Sequence, residues 1–168
     1  MRRAAALALL ALCACTSGEA ATCPGQPVGT FRFEVAGTYY DPQGPARPLF
    51  CERAANADST VVGTFTATLS SEPALGTAAL CVAGAGKLAQ PYFGRVEAGT
   101  YVLTADGGLG VLDACGANCA AAATLRIEGT VTAGGFVGTL TESFQDPQGA
   151  CGACAFPCEK TYPLSGAP

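Results

Sequence analysis

Cysteine is the residue type best able to do chemistry in this chain, which has ten cysteines and no histidine among 168 residues. Five of them fall in one stretch: Cys115-x3-Cys119, then Cys151-Gly152-Ala153-Cys154, then Cys158. The second group has the CxxC spacing of dithiol redox sites, which work when a helix N-terminus lowers the pKa of one thiol. The residues after it, Ala155-Phe156-Pro157, do not open a helix. Cys115, Cys119, Cys151 and Cys154 together also make the four-thiolate set of a structural zinc site. In an oxidising compartment the same thiols become disulfides, and that is the state expected here. The missing histidine removes Ser-His-Asp and Cys-His catalysis, HExxH zinc sites and CxxCH haem attachment.

Hydrolysis by carboxylates alone requires two that converge on one bond. Glu34 and Glu128 fall on the polar faces of patterned strands, where water solvates them. Glu142 shares the face of Phe136, Leu140 and Phe144, so it either lines an opening or marks a sheet edge. The edge is the simpler account. Asp106, Asp113 and Asn118 lie in a Gly-rich stretch without calcium-loop spacing, which points to turns. Tyr39-Tyr40, Tyr92-Phe93 and Tyr101 offer a stacking platform for a sugar or peptide, although core or cross-strand pairing is the commoner use. No catalytic, cofactor-binding or metal-binding residue is assigned, and no cofactor is expected.

The N-terminus reads as an address. Met1-Arg2-Arg3 precedes an apolar run over residues 4–12, the layout of a secretory signal. The apolar stretch is too short for a membrane-spanning helix, which needs about 20 residues. Its end, Leu12-Cys13-Ala14-Cys15, resembles the lipobox of bacterial lipoproteins, in which a signal peptidase cuts before a cysteine that receives lipid. The resemblance implies cleavage between Ala14 and Cys15 and lipidation of Cys15. Cys13 fits less well, because Leu12 would sit directly at the cut. Thr16, where an Asp would favour inner-membrane retention, implies the outer membrane. Arg2-Arg3 is followed by Ala-Ala-Ala, which departs from a twin-arginine signal.

Cleavage and lipidation leave eight cysteines for disulfides: Cys23, Cys51, Cys81, Cys115, Cys119, Cys151, Cys154 and Cys158. The number is even, as a disulfide framework requires, and allows 105 pairings. Cys51 with Cys81 is the favoured pair, since each lies in an apolar segment expected to be strand. Only 13% of the residues are charged, for a net of −4, against about a quarter charged in ordinary domains. Loss of Arg2 and Arg3 takes the mature chain to −6. Nucleic acid is excluded as a partner, because it demands a basic surface.

The elements that must position these residues are strands. Alternation of apolar and polar residues marks half-buried strands. Phe31, Phe33, Val35 and Tyr39 alternate with Arg32, Glu34 and Thr38. Val61, Phe65, Ala67 and Leu69 alternate with Thr64, Thr66, Thr68 and Ser70, and Leu125, Ile127 and Val131 with Thr124, Arg126, Glu128, Thr130 and Thr132. Phe136, Leu140 and Phe144 do the same after a glycine hairpin at Ala133-Gly134-Gly135. Weaker strands are expected over 47–53, 77–83, 90–96, 99–105, 108–113 and 159–165, with Gly107-Gly108 as a turn. The four alanines after Cys119 begin a strand or make one short turn. Asp41-Pro42-Gln43-Gly44 returns as Asp146-Pro147-Gln148-Gly149, the chemistry of two type I turns. Recurrent Gly-Thr pairs put glycine on apolar faces, where sheets bend.

The expected fold is all-β and disulfide-rich: an antiparallel barrel or strongly bent sandwich of about 8–10 strands. Residues 1–14 are the signal peptide, 15–27 the lipidated cysteine and tether, and 28–168 one domain. A transmembrane barrel is not expected, because it needs an apolar outer band. The expected protein is not an enzyme. It is a structural or protein-interaction module, held to a membrane by its lipid and facing periplasm or cell surface. A small-ligand-binding barrel is the alternative, and a carboxylate hydrolase a weaker one.

Overall fold

The computed structural model describes residues 23–36, 63–84, 86, 88–112 and 115–168. Cys13, Cys15, Thr16, Tyr39-Tyr40, Cys51, Val61, Asp113, the first Asp-Pro-Gln-Gly tetrapeptide and the strand expected over 47–53 lie outside them. The described residues form eight strands: β1 (Gln26–Val35), β2 (Gly63–Glu72), β3 (Thr77–Ala83), β4 (Tyr92–Glu97), β5 (Thr100–Val111), β6 (Ala120–Thr132), β7 (Gly135–Gln148) and β8 (Cys158–Ala167). Each strand pairs with the next, and β8 pairs antiparallel with β1, so the sheet closes into a barrel. Of the two expected architectures, the chain adopts the barrel.

The alternation read from the sequence sets inside against outside. Phe31, Phe33 and Val35 point inward and are buried, while Arg32 and Glu34 face solvent. Eight strands enclose a space that side chains fill or that holds one small ligand. Phe33, Leu69, Leu103, Leu125, Ile127 and Leu140 have no exposed surface, so none borders a void that admits water. Phe33 is the aromatic hub, with ring centroids 5.9, 5.0 and 5.3 Å from those of Phe31, Phe65 and Phe136. The outer wall carries threonine pairs such as Thr30–Thr68 and Thr141–Thr161, at 3.0 and 3.1 Å, and the Arg126–Glu128 ion pair.

Glycine allows the tight coil. Gly129 and Gly138 face each other across β6 and β7. A Cβ on Gly138 would stand 2.1 Å from the Glu128 carbonyl oxygen, so no other residue lets these two strands approach as closely.

Three local expectations change. Gly107-Gly108 is not a turn. β5 runs unbroken through it, with a register shift between Asp106 and Gly108. Asp106 Oδ1 accepts the Gly108 N–H at 2.8 Å and Gly108 has φ 69°, which together make a bulge. The second Asp-Pro-Gln-Gly is also not a strand-ending turn. β7 continues to Gln148, and Asp146 (φ 52°) with Pro147 falls where the β6–β7 register slips. Asp tolerates the left-handed conformation and Pro lacks an N–H to pair, so both suit a bulge. Val131, in phase with the apolar face, is exposed beside the β6–β7 hairpin.

The two ends of the barrel differ. One has the tight connections 73–76, 98–99 and 133–134, and the other has the longer ones 84–91, 112–119 and 149–157. Strands β5, β6 and β7 have 12, 13 and 14 residues against 7 and 6 for β3 and β4. The wall therefore stands tall on one side at the long-loop end.

Candidate functional site

At the long-loop end the cysteine cluster forms a cap. Cys115 is bonded to Cys154 and Cys119 to Cys151, with Cα separations of 5.0 and 4.9 Å. The CxxC cysteines do not pair with each other. Each reaches across to the 112–119 loop. Backbone bonds follow the same route, the Ala153 N–H donating to the Cys115 carbonyl at 3.0 Å. The loops touch closely because position 116 is glycine: a Cβ there would stand 1.7 Å from the Ala150 carbonyl oxygen. Leu112, Phe144 and Cys158 pack beneath as a second apolar cluster. Every described cysteine, Cys158 included, is disulfide-bonded. No group of three or more metal-ligating side chains converges among the described residues.

The third described bridge corrects the Cys51–Cys81 expectation. Cys81 is bonded to Cys23, at a Cα separation of 5.6 Å. Before entering β1, the chain folds back as a strap over the outer wall of β2 and β3. Ser70 Oγ lies 3.2 Å from Cys23 Sγ and donates to the Pro24 carbonyl. Cys81 faces outward toward this strap, and no periodic pattern in the sequence marks Cys23 as its neighbour.

The carboxylates do not form a catalytic pair. Glu34 faces solvent and Glu128 is engaged with Arg126 on the outer wall. Glu142 is fully buried, as is Lys160, directly opposite it on β8. The edge reading of Glu142 fails because the barrel has no edge: β7 is paired on both sides, by β6 and β8. The Lys160 ammonium stands 5.3 Å from the centre of the Phe144 ring, a cation–π distance. This charged layer separates the main lumen cluster from the cluster under the cap. Glu142, Lys160 and Phe144 have no exposed surface.

Tyr92 and Tyr101 are lumen residues, while Phe93 faces outward. Burial first, and then the negative charge of Glu142, raise the Tyr92 hydroxyl well above its ordinary value near 10. The folded state therefore holds the Tyr92 proton more tightly than the unfolded chain. This stability is complete below about pH 10 and is lost as pH rises above it, by up to about 1.4 kcal/mol per pH unit. Urea unfolding of Tyr92→Phe across pH 9 to 11 should show a shallower fall than the parent protein. Equal slopes would mean that Tyr92 carries no linkage.

On the outside, the strap forms one wall of an apolar groove of about 440 Å3. Pro24 and Gly25 stand on one side and Phe93 on the other, over Ala78 and Ala79, with Glu72, Leu75 and Thr77 at the end. Ala79 is buried although it alternates with the inward Ala78 and Leu80. Leu75 and Phe93 are 74% and 53% exposed.

Lys160 and the strap are absent from the candidates that motif and spacing single out. Lys160 had a signal, since it shares strand phase with Cys158, Tyr162 and Leu164. The strap had none. Compared with protein-family models, curated proteins and solved structures, the chain matches none.

Proposed function

We propose that this chain is an exported β-barrel domain, lipid-anchored through Cys15, that works as a non-enzymatic structural or protein-interaction module at a bacterial membrane surface. The outer membrane is the favoured site, with the barrel facing periplasm or cell exterior. The observation that carries this reading is the oxidation state: all seven described cysteines are in disulfides, which an oxidising compartment supports. The lipobox resemblance at Leu12-Cys13-Ala14-Cys15 supplies the anchor. The zero exposure of Phe33, Leu69, Leu103 and Leu125 favours an interaction module over a carrier, which would use an open lumen.

Intact mass of the membrane-extracted protein, before and after reduction and thiol alkylation, tests the proposal. The expected mass begins at Cys15, carries acyl chains and has eight cysteines that alkylate only after reduction. An uncleaved N-terminus removes the anchor, and free thiols before reduction return the cap to the list of chemical sites.

A further inference from the structure

We infer that the groove beside the Cys23 strap is the face this barrel turns toward a bilayer, so that Leu75 and Phe93 enter the headgroup region next to the anchor. The inference rests on the lipidation of Cys15 proposed above. Eight residue steps separate Cys15 from Cys23, at most about 28 Å of extended chain. Cys23 is bonded to Cys81 on β3, so a lipid at Cys15 keeps this wall within about 28 Å of the membrane.

The outer wall departs from its polar pattern here, as it also does at Leu109, Val111 and Val137, but only here beside the strap. Leu75 projects from the β2–β3 turn and Phe93 from β4, both largely exposed, flanking the apolar floor of the groove. Each side chain withdrawn from water stabilises the docked state in proportion to the apolar area it buries. The tether makes this second contact intramolecular, so modest apolar area suffices. Glu72 at the groove end and the acidic net charge give no attraction to anionic lipid. The contact is therefore apolar and insensitive to salt.

The chain contains no tryptophan, so a single introduced one reports on its own position. Full-length protein carrying Leu75→Trp, Phe93→Trp or, on exposed Leu109 of β5, Leu109→Trp is expressed with its signal. Lipidation is read by intact mass. Each variant is then reconstituted into phosphatidylethanolamine–phosphatidylglycerol vesicles with brominated acyl chains. Emission from Leu75→Trp and Phe93→Trp is expected to shift to the blue and lose at least half its intensity, with Leu109→Trp unquenched. Equal quenching at all three sites, or none, in protein whose mass shows the acyl chains overturns the docking face and leaves the anchor standing. A mass without acyl chains overturns the anchor, and the docking face with it.

Discussion

Replacing both bridges of the loop cap by alanine pairs, Cys115/Cys154 and Cys119/Cys151, is expected to lower the unfolding free energy by about 6.4 kcal/mol, against about 2.5 kcal/mol for either pair alone. The difference follows from their nesting. The bridges span 39 and 32 residues, and either one closes most of the same loop in the unfolded chain. With one in place, the other closes only the short ring running through residues 115–119 and 151–154. A single loss is therefore partly covered by the survivor, whereas the double loss frees the whole loop. The double loss is comparable with the total stability of many domains, about 5–15 kcal/mol. Urea unfolding of the three variants under non-reducing conditions reads the effect. Losses from the single pairs that add up to the double loss would show that the bridges act independently.

The second large effect is expected in the lumen. Lys160→Met leaves the fully buried Glu142 facing a thioether across the β7–β8 ladder, and Glu142→Leu leaves Lys160 facing a hydrocarbon. Each is expected to cost about 3–5 kcal/mol, the range for removing one member of a buried opposite-charge pair. The double variant Glu142→Leu/Lys160→Met is expected to lose clearly less than the sum, because no charge is left facing an apolar neighbour. A coupling near zero in this double-mutant cycle would mean that the two charges do not sense each other. The pair also selects one register. A slip of β8 by one residue would turn Lys160 outward and set Glu142 against Glu159 or Thr161, since a one-residue shift moves every side chain to the opposite face.

Strand alternation was the most legible part of the sequence. Phe31, Phe33, Val35, Ala67, Leu69, Leu125 and Ile127 are inward as their period required, because a side-chain period of two is local backbone geometry. The Ala133-Gly134 hairpin was equally local. Features that depend on a partner strand were not legible. Gly107-Gly108 and Asp146-Pro147 carry turn chemistry, and only the neighbouring strand makes each of them a bulge. Closure depends on β1 meeting β8, which no local pattern encodes. The disulfide pairing failed at Cys81 for the same reason: its partner sits on a strap placed by tertiary contacts. Glu142 stands out in the sequence as a carboxylate on an apolar face, but its role depends on Lys160, 18 positions away.

The seam between β1 and β8 has a consequence for how the molecule is made. Among the described residues, seven ladders join consecutive strands and this one joins the first to the last. It is also short, running from Arg32↔Ala167 to Val35↔Leu164, and Pro163 follows immediately. From β2 onward, neighbouring hairpins can form as the chain emerges, since their closing loops are small. The seam must wait for residues 164–167, the last part of β8 to appear. Until then β1 and β7 each present an open edge to any other extended segment. The ladder of greatest sequence separation therefore sets the pace of folding, and the interval before it forms is when this chain is most exposed to wrong partners.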